Sequence, residues 1–210
     1  MAILAAYSLA AEACAEIHAR YASRGMSLGQ VALCGAEGFV EWRHYPNRDA
    51  TDYGSGYAFY YHAHSRNEMR EGEHGHFHLF KRDPQYPGNF FHLIGIGLDQ
   101  KGIPARIFTT NQWVTGETMV DAEKVTEAMR HFDMVVKGRL APLAKWLCAF
   151  NKLFHVEIEA LINARDRKLD ELEPIYSRKH ILLTNRKYDV LSECEINLMC
   201  RISKYLTTQN

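Results

Sequence analysis

The chain has no surplus of either charge. Lys+Arg and Asp+Glu stand at 25 each, so bulk electrostatics attract neither nucleic acid nor an anionic membrane, and any partner must be recognised locally. Paired cysteine motifs are also missing. Cys14, Cys34, Cys148, Cys194 and Cys200 are odd in number, scattered, and never spaced C-x-x-C. That pattern fits reduced thiols in a cytoplasmic protein better than a disulfide framework or a cysteine zinc knuckle. No run of about 18 apolar residues occurs, so a membrane span is excluded on length. The apolar start MAILAAYSLAAEACAEIHARY lacks the basic n-region of a signal peptide and continues through Glu12, Glu16, His18 and Arg20 as an amphipathic helix. Internal repeats and low-complexity segments are absent.

What is present predicts one α+β domain over residues 1–210, with 47% hydrophobic residues to build its core. Residues 1–25 form an alanine-rich helix closed by Gly25, residues 39–113 an antiparallel meander of about five strands, and residues 118–210 a helical region. FVEWRHY, at 39–45, alternates apolar and polar side chains and predicts the first strand, with PNRDATDYGSG after it as turn. Further strands are expected near 57–64, 74–80, 90–98 and 105–110. Asp99-Gln100-Lys101-Gly102 would close a hairpin that sets Leu98 opposite Ile103 and His92 opposite Thr109. From Thr118 the apolar period lengthens to three or four residues. It predicts a helix in TMVDAEKVTEAMRHFDMVV, opened by an acidic capping box of Thr118 and Asp121, a long one from Ala141 to Leu172, and a last one over SECEINLMCRISKYL.

Five of the eleven histidines fall within FYYHAHSRNEMREGEHGHFHLF, residues 59–80. Side chains alternate across a strand, so His62 and His64 share one face of theirs, and His74, His76 and His78 one face of the next. A hairpin centred near Met69 sets His62 across from His76 and His64 across from His74. Opposed Cβ atoms in such a pair lie about 5 Å apart, which lets two imidazoles share one metal ion. His92, from a third strand, could join them, and Glu68, Glu71 and Glu73 in or beside the connection could supply a carboxylate. Tyr57, Phe59, Tyr61, Phe77 and Leu79 would face the other way, into a core beneath the helices. The isolated His18, His44, His131, His155 and His180 are expected to be ordinary hydrogen-bonded side chains.

Three resemblances attach to these residues. GYAFYYHAHSRNEMREGEHG resembles the first cupin motif at Gly56, His62, His64, Glu68 and Gly75, with Pro87 and His92 at the separation of the second; this implies a divalent metal on His62, His64, Glu68 and His92. HGHFHLF resembles the histidine triad of nucleotide hydrolases and transferases, which implies a nucleophilic His76. EHGHFHLF and IFTTNQWVTGE together are similar to a family of uncharacterised bacterial proteins, which implies only that the two blocks belong together; with Thr109 opposite His92, Thr109, Thr110, Asn111, Trp113, Thr115 and Glu117 would then lie near the histidines.

Imidazole-rich sites suit Fe, Zn, Cu or Ni. The sequence therefore predicts a metalloenzyme acting on a small molecule, with ligands from His62, His64, His74, His76, His78 and His92, completed by Glu68 or Glu73. Glu73, His76 and Thr109 are its catalytic candidates. Non-haem iron is favoured narrowly, because Tyr60, Phe90 and Trp113 could shield an oxidising centre. The alternatives are a triad-like nucleotide hydrolase and a non-enzymatic metal carrier whose helical half docks on a partner protein.

Overall fold

A computed structural model describes residues 2–65, 69–83, 85, 86, 88–176 and 178–207. The order of elements is α1 (Ala2–Ala22), α2 (Leu28–Ala32), β1 (Tyr45–Thr51), β2 (Tyr57–His62), β3 (Glu73–Arg82), β4 (Phe90–Asp99), β5 (Pro104–Thr110), α3 (Gln112–Thr115), α4 (Ala122–Arg130), α5 (Ala141–Leu153), α6 (His155–Leu172), α7 (Lys179–Leu183), β6 (Val190–Glu195) and α8 (Leu198–Leu206). The strands form one antiparallel sheet in sequence order, β1 to β6. The architecture is α+β, with an N-terminal helix and a mostly helical C-terminal half.

Alternation builds the core. Phe59 and Tyr61 from β2, Phe77 and Leu79 from β3, Ile96 and Leu98 from β4 and Ile107 from β5 are all fully buried. They join one apolar cluster with Trp146, Leu147 and Phe150 of α5 and Ile158 and Ile162 of α6. Each such side chain removed from water contributes about 1.5 to 3 kcal/mol. The helices thus cover the face that carries the apolar alternation.

Four expectations are corrected. FVEWRHY is not a strand: Trp42 takes a left-handed φ of 66°, its N–H donates to the Ala63 carbonyl at 2.8 Å, and the strand begins at Tyr45. The turn-like PNRDAT then serves as the outermost strand, where Pro46 is tolerated because an edge strand need not use every N–H. The helix after Thr118 starts only at Ala122, with Asp121 as its N-cap accepting from Lys124 N at 2.9 Å. The long helix breaks at Phe154 (φ −111°, ψ 17°), whose ring packs on Phe150 with centroids 4.8 Å apart.

The largest correction is β6. Residues 192–195 were expected to open the last helix, but 190–195 form a strand that pairs with β5, Arg106 to Glu195 and Phe108 to Glu193. The last helix begins after Asn197, whose side chain accepts from Cys200 N at 2.9 Å. An open β5 edge would present unpaired backbone groups, and pairing them outweighs a local helical period. The five cysteines are free thiols. Among the described residues no helix is long and apolar enough to cross a membrane.

Candidate metal centre

The β2–β3 hairpin sets His62 directly opposite His76, and Tyr60 opposite His78, as the alternation predicts. The face away from the helices therefore carries His62, His76 and His78. All three are buried, and one ligand nitrogen from each lies within 4.8 Å of the others. Together they could hold a metal ion. Two ligand nitrogens each about 2.1 Å from one ion stand roughly 3.0 to 3.4 Å apart. The 2.8 Å between His62 Nε2 and His76 Nε2 needs only a small outward shift to meet that geometry. His62 Nδ1 is buried with no hydrogen-bond partner among the described residues, which leaves this imidazole with a nitrogen to spare.

Alternation fails at two bulges, and both failures matter. Between Glu73 and Gly75 the register with β4 slips by one residue, which turns Glu73 onto the histidine face and His74 off it. His74 Nδ1 instead meets the Tyr61 hydroxyl at 2.6 Å, so the expected pairing of His64 with His74 does not form. Glu73, already a catalytic candidate, becomes the orienting group of the cluster. His76 Nδ1–H donates to its Oε1 at 2.7 Å, and Arg106 Nε donates to its Oε2 at 2.6 Å. Arg106 also donates through Nη1 to Glu193 Oε2 at 3.0 Å, so β6 anchors the network. A carboxylate on Nδ1 fixes the tautomer of His76 and leaves a lone pair on Nε2, the arrangement that usually orients a metal-binding imidazole. Burial alone would raise the Glu73 pKa, but the hydrogen bonds from His76 and Arg106 outweigh it and hold the carboxyl below its usual range.

The second bulge lies in β4. His78 pairs with Gly95, whereas Phe80 pairs with His92. The extra residue buries Leu93 and Ile94 together and turns His92, which shares the even numbering of Ile94 and Ile96, onto the histidine face. His92 Nε2 lies 2.9 Å from His78 Nδ1, and His92 Nδ1 lies 3.2 Å from the Thr110 hydroxyl. Its partner on β5 is thus Thr110 and not Thr109. A register shift at Leu98 moves the hairpin so that Leu98 faces Pro104. Thr109 points to the helices, its hydroxyl 2.7 Å from that of Ser192, and is removed from the catalytic candidates.

Burial sets the charge state of the cluster. It drives the His62 pKa down to about 2, with His76, His64 and His44 adding to the effect. His92 falls to about 3, through burial and then the charge of Arg165, and fully buried His78 falls well below its ordinary value. Neutral imidazole is the form a metal needs. Glu117 accepts from the His92 backbone N–H, and burial lifts its carboxyl to about 7.

Two glycines make the room. A Cβ at Gly95 would stand 2.3 Å from Phe108 Cζ, and one at Gly97 2.7 Å from Glu73 Oε2. Phe108 packs edge-on against both His76 and His78. His62 and His64 open into a cleft of about 420 Å³ whose walls include Trp42, His44, Tyr60 and Trp113. His64 stacks on Trp42 with centroids 4.2 Å apart and stands 4.8 Å from the His62 ring. His44, expected to be an ordinary side chain, stacks on Tyr60 at 3.7 Å and borders the site. Arg106 was missed altogether, although period two places it on the same face as Phe108 and Thr110. Glu71 is exposed at the loop end. Glu68 and Pro87 lie outside the described residues.

Two family resemblances gain no support from the fold. The single six-stranded sheet is not a two-sheet cupin barrel, and the Nε2 of His76, the nucleophile of a histidine triad, faces another imidazole. The third resemblance, to an uncharacterised family, has a counterpart in the comparisons. No curated protein and no solved structure matches the chain. A family model described as a domain of unknown function, DUF6969, matches residues 8–196, and the chain belongs to that family.

Proposed function

We propose that this protein is a metal-dependent enzyme whose centre is formed by His62, His76 and His78 and whose small-molecule substrate enters the aromatic cleft beside them. The observation that carries the reading is the trio of buried imidazoles with ligand atoms within 4.8 Å, one of which lines the cleft. A divalent transition metal held there would supply Lewis-acid activation of water or of a substrate oxygen. The residues of the chain do the rest. Glu73 and Arg106 lock His76 in one tautomer, His92 and Thr110 orient His78, and Phe108 keeps bulk water from the back of the cluster.

The balance between metals shifts from the sequence-based expectation. Glu73 is committed to His76 and Arg106, so the described donor set is all imidazole, which favours hydrolytic, zinc-like chemistry over the two-histidine, one-carboxylate arrangement of non-haem iron. Iron-dependent oxidation is the second reading, favoured by one observation: Tyr60, Phe90 and Trp113 all line the cleft.

The test is metal analysis of protein purified without an affinity histidine tag and then offered Zn(II), Fe(II), Cu(II) or Ni(II) separately. About one ion per chain is expected, and His62→Ala and His76→Ala should each lose most of it while circular dichroism keeps the helix content. Full stoichiometry in either variant, or no bound ion with any of the four metals, would overturn the shared site. Bound metal with no turnover across a panel of esters, amides and phosphoesters, nor oxygen uptake with iron, would move the protein to the class of metal carriers.

A further inference from the structure

A second cleft, of about 710 Å³, lies where β2 begins, β3 ends and β4 begins, with α4 above it. Its floor is a cross-strand row on the helix-facing side of the sheet: Tyr57 opposite Lys81, and Lys81 opposite Phe91. Elsewhere such rows are apolar, as Phe59 with Leu79 and Tyr61 with Phe77 show. Here the middle position holds a lysine. Its ammonium lies 3.9 Å from the Tyr57 ring centroid and donates to the Ser55 carbonyl at 2.6 Å. From the roof, Lys124 reaches over Phe91 at 5.7 Å.

Neither ammonium forms an ion pair with a carboxylate among the described residues. The acids nearby are engaged elsewhere. Asp52 accepts from Gly54, Ser55 and Val135, and Glu127 is held by His131 and Arg130. The result is a cavity of small-molecule size with an aromatic and aliphatic lining, supplied by Tyr57, Phe90, Phe91, Val120 and Ala128, and two ammonium groups without a salt-bridge partner; Asp83, also on its wall, accepts instead from the backbone N–H groups of Gln85 and Tyr86. Lys81 is half-buried and Lys124 exposed, and a carboxylate placed between them would accept charge-assisted hydrogen bonds from both.

We propose that this cleft binds an amphipathic organic anion, with its carboxylate between Lys81 and Lys124 and its apolar body on Tyr57, Phe91 and Val120. The site is separate from the histidine cluster, which lies on the opposite face of the sheet, although Arg82 and Phe90 border both clefts.

The test is calorimetric titration of the full chain with decanoate, decanol and decyltrimethylammonium, each below its micellar concentration. Decanoate should bind at least tenfold more tightly than the other two, and Lys81→Met and Lys124→Met should each weaken it roughly tenfold, the worth of one charge-assisted hydrogen bond. Ala128→Trp, which fills the cleft from a half-buried position on α4, should abolish it. Metal content should be unchanged in all three variants, which separates this site from the one on the histidine face. Equal binding of the three probes, or decanoate binding indifferent to Lys124→Met and Ala128→Trp, would overturn the proposal even if Lys81→Met failed to fold.

Discussion

The two faces of the central sheet are built from alternate residues of the same strands, and they solve burial in different ways. On the helix side Phe59, Tyr61, Phe77 and Leu79 are fully buried, and their rings and chains need only shape. On the other side His62, His76, His78 and His92 are buried nearly as well, yet each carries two nitrogens that must be paired or left neutral. The histidine face answers with short nitrogen contacts, one ionised carboxylate and depressed pKa values. One face is therefore replaceable by any core of equal volume, and the other is tied to a specific proton and ligand count. A protein that needed only a sheet would have no reason for the second solution.

The comparison can be broken most forcefully on the apolar side. Phe77→Ala should cost about 3 to 5 kcal/mol, the usual range for a deleted buried ring, whereas His76→Ala should cost far less in the metal-free protein. Chemical denaturation of both variants checks this. If the histidine substitution were the more damaging of the two, the cluster would be a structural core and not a site.

Acid should act chiefly through the histidine face, with smaller contributions from His18, lowered by burial, and Asp52, where burial is outweighed by hydrogen bonds that lower it. The buried His62, His78 and His92 have folded-state pKa values far below that of an unfolded imidazole. The unfolded chain thus takes up protons first, below about pH 6.5. The stability their neutral forms contribute is complete above that pH and is lost progressively as pH falls toward 3. Each histidine adds a slope of up to about 1.4 kcal/mol per pH unit. Denaturation midpoints of the metal-free protein between pH 7 and pH 4 should fall steeply, and a His92→Gln variant should show a shallower fall. Bound metal should stay until the fold itself gives way in this window, since ligands with folded-state pKa values this low yield their lone pairs to protons only in strong acid; release at about pH 6 with circular dichroism unchanged would mean that other, ordinary imidazoles hold the ion.

Smaller effects sharpen the picture. Glu73→Gln keeps the shape but weakens the anchor on His76, and should lower metal affinity about 10- to 100-fold without unfolding the chain. Gly97→Ala would press a methyl group against the Glu73 carboxylate and Arg106 Cγ, and should cost about 1 kcal/mol with a lesser loss of affinity. Glu71→Gln, on an exposed side chain, should change neither. A metal loss on Glu71→Gln equal to that of Glu73→Gln would mean that the loop carboxylates, and not the Glu73–His76 bond, govern the site.

Much of this was legible in the residues themselves. Period-two spacing put His62 opposite His76 and placed Tyr57, Phe59, Tyr61, Phe77 and Leu79 under the helices, because alternation across a strand is a covalent property of the backbone. The same rule misled at His74 and would have turned His92 inward, since a single extra residue inverts every side chain beyond it.

By itself, then, the sequence determined the α+β class, the two-faced character of β2 and β3, and the crowding of imidazoles on one of those faces; each follows from spacing and from the properties of individual residues. Only the tertiary structure decided that Glu73 and not His74 joins the cluster, that Thr110 and not Thr109 meets His92, and that residues 190–195 close the sheet and anchor Arg106 through Glu193. These depend on bulges and on an open strand edge, which arise when strands meet, and no window along one strand contains the partner that creates them.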